Sequence, residues 1–383
     1  MSFNPTFRNC IFIASSDEEL AKTRRKHDRL NDARFFEELN QTLFVAFDWK
    51  SSFTLMMEQY NQNPIEYFEQ QALANIVNES TQNVALDVKN CKFYCVIRTP
   101  WNYVKHYGDF IKWLQIMNQL GKEEKLMTFN HPELLTWNST KRYLFEIQDS
   151  WENYSIVPSE LVDKGIAESL SNEDIIEKYT AKFNCDKLVF KPLISAGSYF
   201  TFVVSKQDEH ANDYAKESSS KMDKLKEFFQ CERDQEYLDR NIMMVQPFME
   251  EIVNDGEYSF LFINEKPSHM LWKRPKAGDF RVQGDYGGSN TCIPKERFNS
   301  TILENAQKLF DKVKKEKSPN HLLLYCRLDV IIDWQTNELK ICELELLEPH
   351  LYFETINPND KSVELAWECK LYESVVALSH NTL

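Results

Sequence analysis

The sequence predicts a mixed α/β protein of two or three domains, in which a parallel α/β layer is followed by antiparallel hairpins joined by helices. The chain has 383 residues, which is more than one compact core usually holds. Residues 1 to about 135 alternate strand-like and helix-like segments, the pattern of a parallel sheet with crossover helices. From about residue 138 onward, apolar runs of strand length follow one another closely, as in hairpins.

The first of these regions is assigned to an N-terminal α/β domain over residues 1–136. Its strand-like runs are CIFIAS, LFVAFDW and FYCVIR, which begin at positions 10, 43 and 93. Residues 25–41 have helical spacing, and residues 109–121 predict an amphipathic helix that Gly121 would end.

The remainder is assigned to two α+β subdomains over residues 137–245 and 246–383. The predicted strands are KLVFKP, TFVVS, MMVQPF, EYSFLFIN, SHMLWK, LLYCRLDVIIDW and ELKICELELL. Between them, residues 205–240 carry 17 charged side chains in 36 positions. This stretch has two interpretations, a solvated helical excursion or an element that docks a partner.

Composition excludes several classes of protein. There are 45 Lys and Arg against 59 Asp and Glu, a net charge of −14, and an acidic chain repels nucleic-acid backbones and anionic lipids. No apolar run of 18 residues occurs, and the first residues lack a basic segment followed by an apolar stretch. We therefore expect no nucleic-acid partner, no membrane contact and no signal peptide.

The nine cysteines are scattered and form no CxxC pair. This spacing favours buried free thiols in a reducing cytoplasm over disulfides or a zinc site. Glycine is scarce, and five of the nine glycines fall between Gly256 and Gly288. Because glycine permits unusual backbone and close approach of a ligand, this segment is the first place to look for chemistry.

One predicted hairpin brings charges together. Its turn, Gln335 to Asn337, is centred near residue 336, so that Asp329 would face Glu343 and Arg327 would face Glu345. Directly opposed Cβ atoms on paired strands lie about 4.5–5.5 Å apart. Three carboxylates and one guanidinium would then share one face of an otherwise apolar hairpin.

Opposed carboxylates repel one another, and burying them without a partner is costly. A hard divalent cation resolves this, and oxygen ligands suit Mg²⁺ better than zinc. Magnesium that is held by few carboxylates usually completes its shell with water and phosphate oxygens, so a nucleotide is implied. The alternative is an exposed Arg–Glu pair with the remaining acids solvated.

Two lysines are candidates for phosphate contacts. Lys141 stands at the start of KRYLFEI, a predicted helix, and Lys191 follows the apolar strand LVF just before Pro192. The segment ISAGSYF behind Lys191 is suited to a mobile flap over phosphates, although it is far weaker than a Walker A sequence. Either lysine taken alone is equally compatible with a solvated side chain.

The order of these parts resembles the ATP-grasp superfamily: a lysine before the core, KP after a strand, a strand ending in VQPF, then GE, and finally RxD followed by ExE. Within the superfamily, the chain is similar to the glutathione-synthetase-like branch that includes the cyclo-ligase of D-cycloserine biosynthesis. The resemblance covers about two thirds of the chain, from about residue 93 to 353, and is most specific from Ser268 to Gly288. The matching stretches are VIRTPWNYV, DFIKWL, TWNSTKRYL, VPSELV, VFKPLISAGS, MVQPFMEEI, DGEYSF, SHMLWKRPKAGDFRVQGDYGG, CRLDVIID and CELELLEPHLYF.

The resemblance implies an ATP-grasp fold, in which an N-terminal pre-ATP-grasp domain precedes two α+β subdomains that clamp the nucleotide. The implied nucleotide-binding residues are Lys141 and Lys191 for the α- and β-phosphates, Gln246, Pro247 and Phe248 as the adenine hinge, Glu257 for the ribose and Lys273 for the γ-phosphate. The implied ligands of one or two Mg²⁺, or of Mn²⁺ in their place, are Asp329, Glu343 and Glu345. Glu345 departs from many family members, which carry Asn there.

The catalytic groups that the resemblance implies are Arg327, Arg281 and Lys273, with Arg327 steadying the acyl-phosphate or its leaving phosphate. Arg281, with Gly287 and Gly288 behind it, would face the acceptor end of the substrate, where an oxyanion develops.

Arg98, Trp101 and Tyr103 follow the predicted strand FYCVIR, at the edge where open α/β sheets place ligands. We expect Arg98 to bind a substrate carboxylate and Tyr103 to line the pocket. Interdomain packing is the alternative for Trp101 and Tyr103.

Three functions are open at this point. The leading one is an ATP- and Mg²⁺-dependent carboxylate ligase that forms an amide-type bond on a small amino-acid-like substrate by way of an acyl-phosphate. The second is a ligase that adds an amino acid to a protein or peptide, and the third is a non-catalytic ATP-binding switch. The resemblance also implies a homodimer as an assembly to be tested.

Overall fold

The computed structural model describes residues 6–22, 42–79, 85–86, 91–152, 154–206, 215–230, 236–279, 281–282 and 287–380. The predicted helix over residues 25–41 lies outside these ranges, as does Cys231. The other eight cysteines are free thiols. No helix among the described residues is both long and apolar enough to cross a membrane.

The N-terminal region forms a four-stranded sheet whose strands are all parallel, as the alternation of strands and helices predicts. In spatial order its strands are β3 (Thr42–Asp48), β2 (Asn9–Ser15), β5 (Lys92–Thr99) and β6 (Leu126–Phe129). Two short strands, β1 (Thr6–Phe7) and β4 (Ala85–Leu86), form a separate parallel pair. The helices of this region are α1 (Trp49–Gln59), α2 (Ile65–Glu79) and α3 (Tyr107–Lys122).

The helix α3 ends one residue later than predicted. Gly121 lies inside its last turn, and the chain leaves the helix at Glu123. Glu124 then takes a positive φ of 56° and donates its backbone N–H to the carbonyl of Gly121. The left-handed residue that reverses the chain is therefore Glu124, and Gly121 is not the helix stop.

Two short helices, α4 (Pro132–Asn138) and α5 (Arg142–Ser150), connect the first sheet to the second. The second sheet is antiparallel, in the order β10 (Phe202–Ser205), β9 (Lys187–Pro192), β11 (Ile242–Pro247) and β8 (Glu160–Asp163). Its helices are α6 (Lys164–Ser169), α7 (Asn172–Phe183) and α8 (Ala215–Gln230). Ser171 and Asp174 form a capping box that fixes the start of α7.

The helix α8 lies in the highly charged stretch 205–240. Its apolar side chains Leu225, Phe228 and Phe229 are buried in the core of the second sheet. A fully solvated excursion would leave these side chains exposed, so the described part of the stretch is packed on one side.

The third sheet has six strands, in the order β14 (Ser289–Ile293), β13 (Lys266–Arg274), β12 (Glu257–Ile263), β15 (Tyr325–Asp333), β16 (Glu338–Glu345) and β7 (Ser155–Ile156). The pairs are antiparallel except for β7, which runs parallel to β16. The remaining helices are α9 (Glu250–Asn254), α10 (Ser300–Lys317), α11 (Phe353–Ile356) and α12 (Lys361–His380).

The long C-terminal helix α12 joins the first and third sheets. One hydrophobic cluster contains side chains of β2 and β5, of β12 and β15, and of α12. Within it, the rings of Phe44 and Tyr372 lie 5.3 Å apart. The cluster therefore packs β5 of the first sheet and β15 of the third sheet against the same helix.

Candidate functional site

The hairpin of β15 and β16 has the predicted pairing at its charged end. Asp329 pairs with Glu343, and Arg327 pairs with Glu345. Nearer the turn, Asp333 pairs with Glu338, one position away from the predicted register. A bulge between Asp329 and Val330 removes this offset, so the prediction is correct at the site although the turn lies slightly earlier.

The three carboxylates of this hairpin converge. One oxygen from each of Asp329, Glu343 and Glu345 lies within 4.8 Å of the others. Asp329 is 2% exposed, and its Oδ1 accepts a hydrogen bond of 2.5 Å from the hydroxyl of Ser259 on β12. A compact set of oxygen donors with one buried member is the kind of site that Mg²⁺ prefers, so the donor set fits that ion.

Cations surround the carboxylates on every side. Arg327 donates to Asp329 at 2.9 Å and also contacts Glu345, while its Nη1 donates to the carbonyl of His350 at 3.2 Å. Lys273 on β13 lies 3.0 Å from Asp329. These neighbours offset the repulsion that three adjacent carboxylates would otherwise produce.

The electrostatics of the cluster differ from residue to residue. Burial alone would raise the pKa of Asp329, but Arg327, Lys273 and the bond from Ser259 hold it below its usual range. Burial raises the pKa of Glu345, opposed by Arg327 and reinforced by the neighbouring carboxylates. Because a bound cation favours the ionised form, Glu345 is the member of the cluster whose charge would gain most from a metal.

Two lysines, which the sequence suggests for phosphate contacts, reach the cluster from other elements. Lys141, the residue before α5, lies 2.9 Å from Glu343 and 2.9 Å from the carbonyl of Ser195 in the flap. Lys191 on β9 is half-buried; loss of solvent around its ammonium lowers its pKa, and Glu343 opposes that effect. Glu343 in turn has its pKa raised by burial but lowered overall by the two lysines. Lys141 therefore connects the flap to Glu343, one of the three clustered carboxylates.

Glu257 and Lys273 are directly opposed on β12 and β13. The ammonium of Lys273 lies 3.1 Å from Glu257, and its side chain is 4% exposed. Burial would lower the pKa of Lys273, but Asp329 and Glu257 raise it above its ordinary value. Lys273 is thus a fixed cation between the acid cluster and Glu257.

The residues of the predicted adenine hinge, Gln246 to Phe248, line the cleft, but two of their polar groups already have partners in this chain. The backbone N–H of Phe248 donates to the carbonyl of Lys187 at 2.9 Å, so it continues the β9–β11 ladder and does not face the cleft. The side chain of Gln246 donates to the hydroxyl of Ser159 at 2.7 Å. Because strand edges alternate, the carbonyl of Pro247 and the N–H of Met249 point to the other side. Met249 also lines the cavity, and the strand pattern of the sequence gave no signal for it.

A cavity of about 880 Å³ connects these groups. The predicted residues that line it are Arg98, Tyr103, Lys141, Lys191, Gln246, Pro247, Phe248, Glu257, Lys273, Arg281, Arg327, Asp329, Glu343 and Glu345. Gly287 and Gly288 are not among the described residues that line it. Gly287 has a φ of +83°, and a Cβ there would lie 3.1 Å from the side chain of Lys276. Glycine is therefore favoured at this position because of the backbone conformation of the loop.

Arg281 and Arg98 each form an ion pair with an acidic side chain of this chain. Arg281 donates to Asp279 at 2.8 Å, two residues before it on the same loop. Arg98 lies 3.8 Å from Glu368 on α12, and its guanidinium lies 5.6 Å from the ring centre of Tyr325. Both guanidinium groups line the cavity but are held by acids of this chain.

Trp101 and Tyr103 differ from each other. Trp101 is 37% exposed, whereas Tyr103 is 3% exposed and its ring lies 5.1 Å from that of Phe110 on α3. The hydroxyl of Tyr103 hydrogen-bonds to Glu348, just after β16. Tyr103 thus combines the predicted packing with a polar contact to the cavity.

Three further residues that line the cavity were missed in the sequence: Asn290, Glu348 and Glu368. Asn290 pairs with Lys273 across β13 and β14. Burial raises the pKa of Glu348 to about 7, an effect that Lys141 opposes. Glu348 stands three residues after Glu345, a spacing that could have marked it; Glu368 lies on a distant helix and gave no signal.

His269 on β13 is a core residue. It is 6% exposed, and its Nε2 lies 2.8 Å from the carbonyl of Leu351. Burial lowers the pKa of His269 to about 4.

No protein-family model matches the chain, and no curated protein sequence matches it. Solved structures do. The D-cycloserine synthetase DcsG is 13% identical, with 96% of this chain and 99% of that chain covered at a TM-score of 0.61. A D-alanine–D-alanine ligase from Bacillus anthracis complexed with ATP is 11% identical, with 97% and 94% covered at 0.50. The ATP-grasp ligase PsnB, complexed with a precursor variant, Mg and ADP, is 11% identical, with 96% and 99% covered at 0.50. The chain therefore has the fold of the ATP-grasp ligases, as the order of its motifs predicts.

Proposed function

We propose that this chain is an ATP- and Mg²⁺-dependent ligase that joins a carboxylate to an amine. The observation that carries the proposal is the cluster of Asp329, Glu343 and Glu345, which faces a cavity of about 880 Å³ beside four buried or half-buried cations. The cations are Lys141, Lys191, Lys273 and Arg327. Acids for a metal together with cations for phosphates are what binding of a metal–nucleotide complex requires. The fold, and the ATP and the Mg and ADP named for two structural neighbours, support the same conclusion.

The nucleotide would lie along the cavity from β11 to β15. Its adenine would meet the carbonyl of Pro247 and the N–H of Met249, and its ribose hydroxyls would bind Glu257. Lys141 and Lys191 would hold the α- and β-phosphates. The short bond from Lys141 to Ser195, in the flap, would bring the flap down over them.

Asp329, Glu343 and Glu345 would hold the magnesium, as one or two ions. When bound, the metal supplies positive charge that neutralises the phosphate oxygens and polarises the γ-phosphoryl group. The chain's own residues must then release part of their present pairing, because Lys141 contacts Glu343 and Arg327 contacts Asp329 and Glu345. The same cations would turn to the phosphates.

The reaction would proceed through an acyl-phosphate. A substrate carboxylate oxygen attacks the γ-phosphorus, ADP leaves, and the amine then attacks the acyl carbon and expels phosphate. Lys273 would contact the γ-phosphate, and Arg327 would steady the phosphate as it is transferred and released. Arg281 would face the oxyanion at the acyl carbon. No Ser or Cys nucleophile is needed, because phosphoryl transfer depends on positioning and charge neutralisation.

The test is incubation of the purified protein with ATP, Mg²⁺ and a pool of carboxylates and amino acids, followed by mass spectrometry of new products and assay of the nucleotide released. We expect ADP and phosphate in amounts equal to the new amide, and no product with Asp329→Asn or Glu343→Gln. Release of AMP and pyrophosphate would contradict the acyl-phosphate. Binding of ATP with Mg²⁺ but no turnover across the pool would favour a switch.

We also propose that the chain is divided into three domains at residues 136 and 245, as expected from the sequence. The strand β11, which would carry the hinge, runs through Pro247, and β7, from the middle segment, pairs with β16 of the third sheet.

A further inference from the structure

Strand β16, which carries Glu343 and Glu345, is only partly covered by other strands. One edge of β16 pairs with β15 from end to end. The other edge pairs with β7 at Lys340 and Ile341 alone, and no other strand among the described residues lies against it. The two carboxylates therefore lie on the part of the strand whose outer edge has no strand partner. Buried backbone groups on that edge need hydrogen bonds from another source.

Three side chains, none more than 9% exposed, supply those hydrogen bonds. The hydroxyl of Tyr143 accepts from the N–H of Leu344 at 2.9 Å. The amide of Asn138 donates to the carbonyl of Leu344 at 2.8 Å and accepts from the N–H of Leu346, directly after β16, at 2.8 Å. The amide of Asn130 donates to the carbonyl of Leu346 at 2.9 Å. These three side chains take the place of a neighbouring strand, and we call them the side-chain edge of β16.

The side-chain edge holds the backbone on both sides of Glu345. Leu344 precedes that residue and Leu346 follows it, and the same asparagine amide bonds to both. Leu344 also follows Glu343 directly, so the bond from its N–H to the tyrosine hydroxyl fixes the peptide group between them. One oxygen of each of these two carboxylates lies within 4.8 Å of one oxygen of Asp329. The spacing of the two carboxylates on β16 therefore depends on the side-chain edge as well as on the pairing with β15.

Magnesium depends on ligand spacing more than a larger divalent cation does. Mg²⁺ requires nearly octahedral oxygen ligands at about 2.0–2.1 Å, whereas Ca²⁺ accepts more ligands at about 2.3–2.6 Å in a flexible arrangement. A strand whose edge is held by buried side chains keeps its carboxylates at one spacing. A loosened strand would let them move apart to suit a larger ion. Groups that hold the ligands from behind commonly determine the geometry of a metal site in this way.

The side-chain edge is itself anchored. Lys141 lies between Asn138 and Tyr143 in the chain, and its backbone N–H donates to the carbonyl of Leu193, just after β9, at 2.8 Å. The ammonium of the same lysine lies 2.9 Å from Glu343. The segment that supplies the two bonding side chains is therefore fixed to the second sheet as well as to β16.

We propose that Asn138 and Tyr143 are positioning residues that hold Glu343 and Glu345 at the spacing of a small divalent cation, and so make the site selective for Mg²⁺ over Ca²⁺. This inference rests on the proposed function, to which it adds the groups that determine the choice of ion. Because the two ions have equal charge and differ in size, a change in their relative binding reports ligand spacing and not loss of charge or of folding.

The test is calorimetric titration of ADP into the protein in three buffers, which contain Mg²⁺, Ca²⁺ or EDTA. The affinity with each ion, divided by the affinity in EDTA, gives the gain that this ion contributes. We expect the wild type to gain more from Mg²⁺ than from Ca²⁺. In Tyr143→Phe, which removes one hydroxyl and keeps the ring, the Mg²⁺ gain should fall at least about tenfold, while the Ca²⁺ gain should change by less than about threefold.

Tyr67→Phe is the matched control. Tyr67 on α2 is 4% exposed, its hydroxyl hydrogen-bonds to that of Ser52, and it does not line the cavity. Both gains should stay at the wild-type values in this variant. Asn138→Ala removes two bonds of the side-chain edge and should lower the Mg²⁺ gain further than Tyr143→Phe does. If Asn138→Ala does not fold, as judged by lost ADP binding in EDTA, Tyr143→Phe alone decides.

The outcomes separate this inference from the proposed function. Equal losses of the two gains in Tyr143→Phe, or no loss of either, would overturn the positioning role while metal–nucleotide binding stands. Tyr143 lines the cavity, so a large loss of ADP affinity in EDTA would mean direct contact with the nucleotide and would also overturn it. A wild type that gains nothing from Mg²⁺ would contradict the proposed function, and the inference with it.

Discussion

Strand β2 of the parallel first sheet and strand β15 of the antiparallel third sheet are both almost entirely buried, but they differ in what they bury. In β2, all seven residues are buried, and the interior contacts are apolar, such as the ring of Phe12 at 4.9 Å from that of Phe68. In β15, eight of nine residues are buried, yet two of these are Arg327 and Asp329. The first sheet is a scaffold stabilised by packing, whereas the third sheet buries charges that only each other, or a ligand, can satisfy.

This contrast predicts that substitutions in the two sheets fail in different ways. Changes to the charged face of the third sheet should reduce activity far more than the loss of packing alone, and changes to the apolar core of the first sheet should reduce stability alone.

The largest effect is expected for Asp329→Asn. It removes a metal-type ligand and leaves Arg327 and Lys273 buried without their shared partner. We expect turnover of ATP in the ligase assay to fall at least about a thousandfold, the upper range for loss of one electrostatic group. Asp333→Asn, at the half-buried end of the same strand and away from the cavity, is the control and should keep wild-type turnover. Equal loss in both variants would contradict a special role for Asp329.

Phe12→Ala tests the scaffold. Phe12 is fully buried among Phe47, Phe68 and Phe93, so a cavity should lower the free energy of unfolding by about 3–5 kcal/mol. Chemical denaturation measures the loss, and Phe12→Leu should lose less. ATP affinity of the folded protein should not change; a parallel loss of affinity would mean that the first sheet is not merely a scaffold.

Asn130→Ala tests the junction between the two sheets. The Asn130 side chain is fully buried, accepts from the N–H of Leu324 at 2.8 Å, and donates to the carbonyls of Tyr325 and Leu346 at 2.9 Å. Alanine leaves these backbone groups unpaired, so we expect the free energy of unfolding to fall by about 2–3 kcal/mol. Asn118→Ala, a half-buried amide on α3 that donates to the exposed Glu133, should change it less, and similar losses in the two variants would refute the junction.

The smallest effect concerns pH and the third sheet. His269 has a pKa near 4 in the folded protein and an ordinary value of 6.5, so its neutral form is favoured by folding. Its contribution is complete above pH 6.5 and is lost as pH falls toward 4; at pH 5 the loss is about 2 kcal/mol. Unfolding at pH 7.5 and pH 5 should show this loss in the wild type and a smaller one in His269→Gln. Equal losses in both would place the acid sensitivity elsewhere.

Much of the fold could be predicted because it depends on local patterns. The apolar runs of β2 and β5 and the alternation of β15 and β16 were sufficient to identify a parallel layer and to pair Asp329 with Glu343. The bulge beside Asp329 could not be predicted, because the alternation of side chains assigns faces to a strand but does not show where its pairing shifts by one residue.

The rest of the site depends on contacts between distant parts of the chain. Glu368 reaches Arg98 only because α12 packs across the first sheet, 270 positions further along the chain. The backbone N–H of Phe248 donates to the carbonyl of Lys187 on the neighbouring strand. The sequence of a strand does not show which of its N–H groups are paired in this way. Asn130 and Asn138 read as ordinary loop and helix residues, yet both hydrogen-bond to the backbone around β16.

The most direct test of the charged face as a metal–nucleotide site is calorimetric titration of ATP into the protein, with Mg²⁺ and again with EDTA. We predict binding at least tenfold tighter with Mg²⁺, and we predict that Glu343→Gln removes this difference while the EDTA affinity stays within a few-fold of the wild type. Equal affinities with and without the metal, in the wild type, would contradict the role given to Asp329, Glu343 and Glu345.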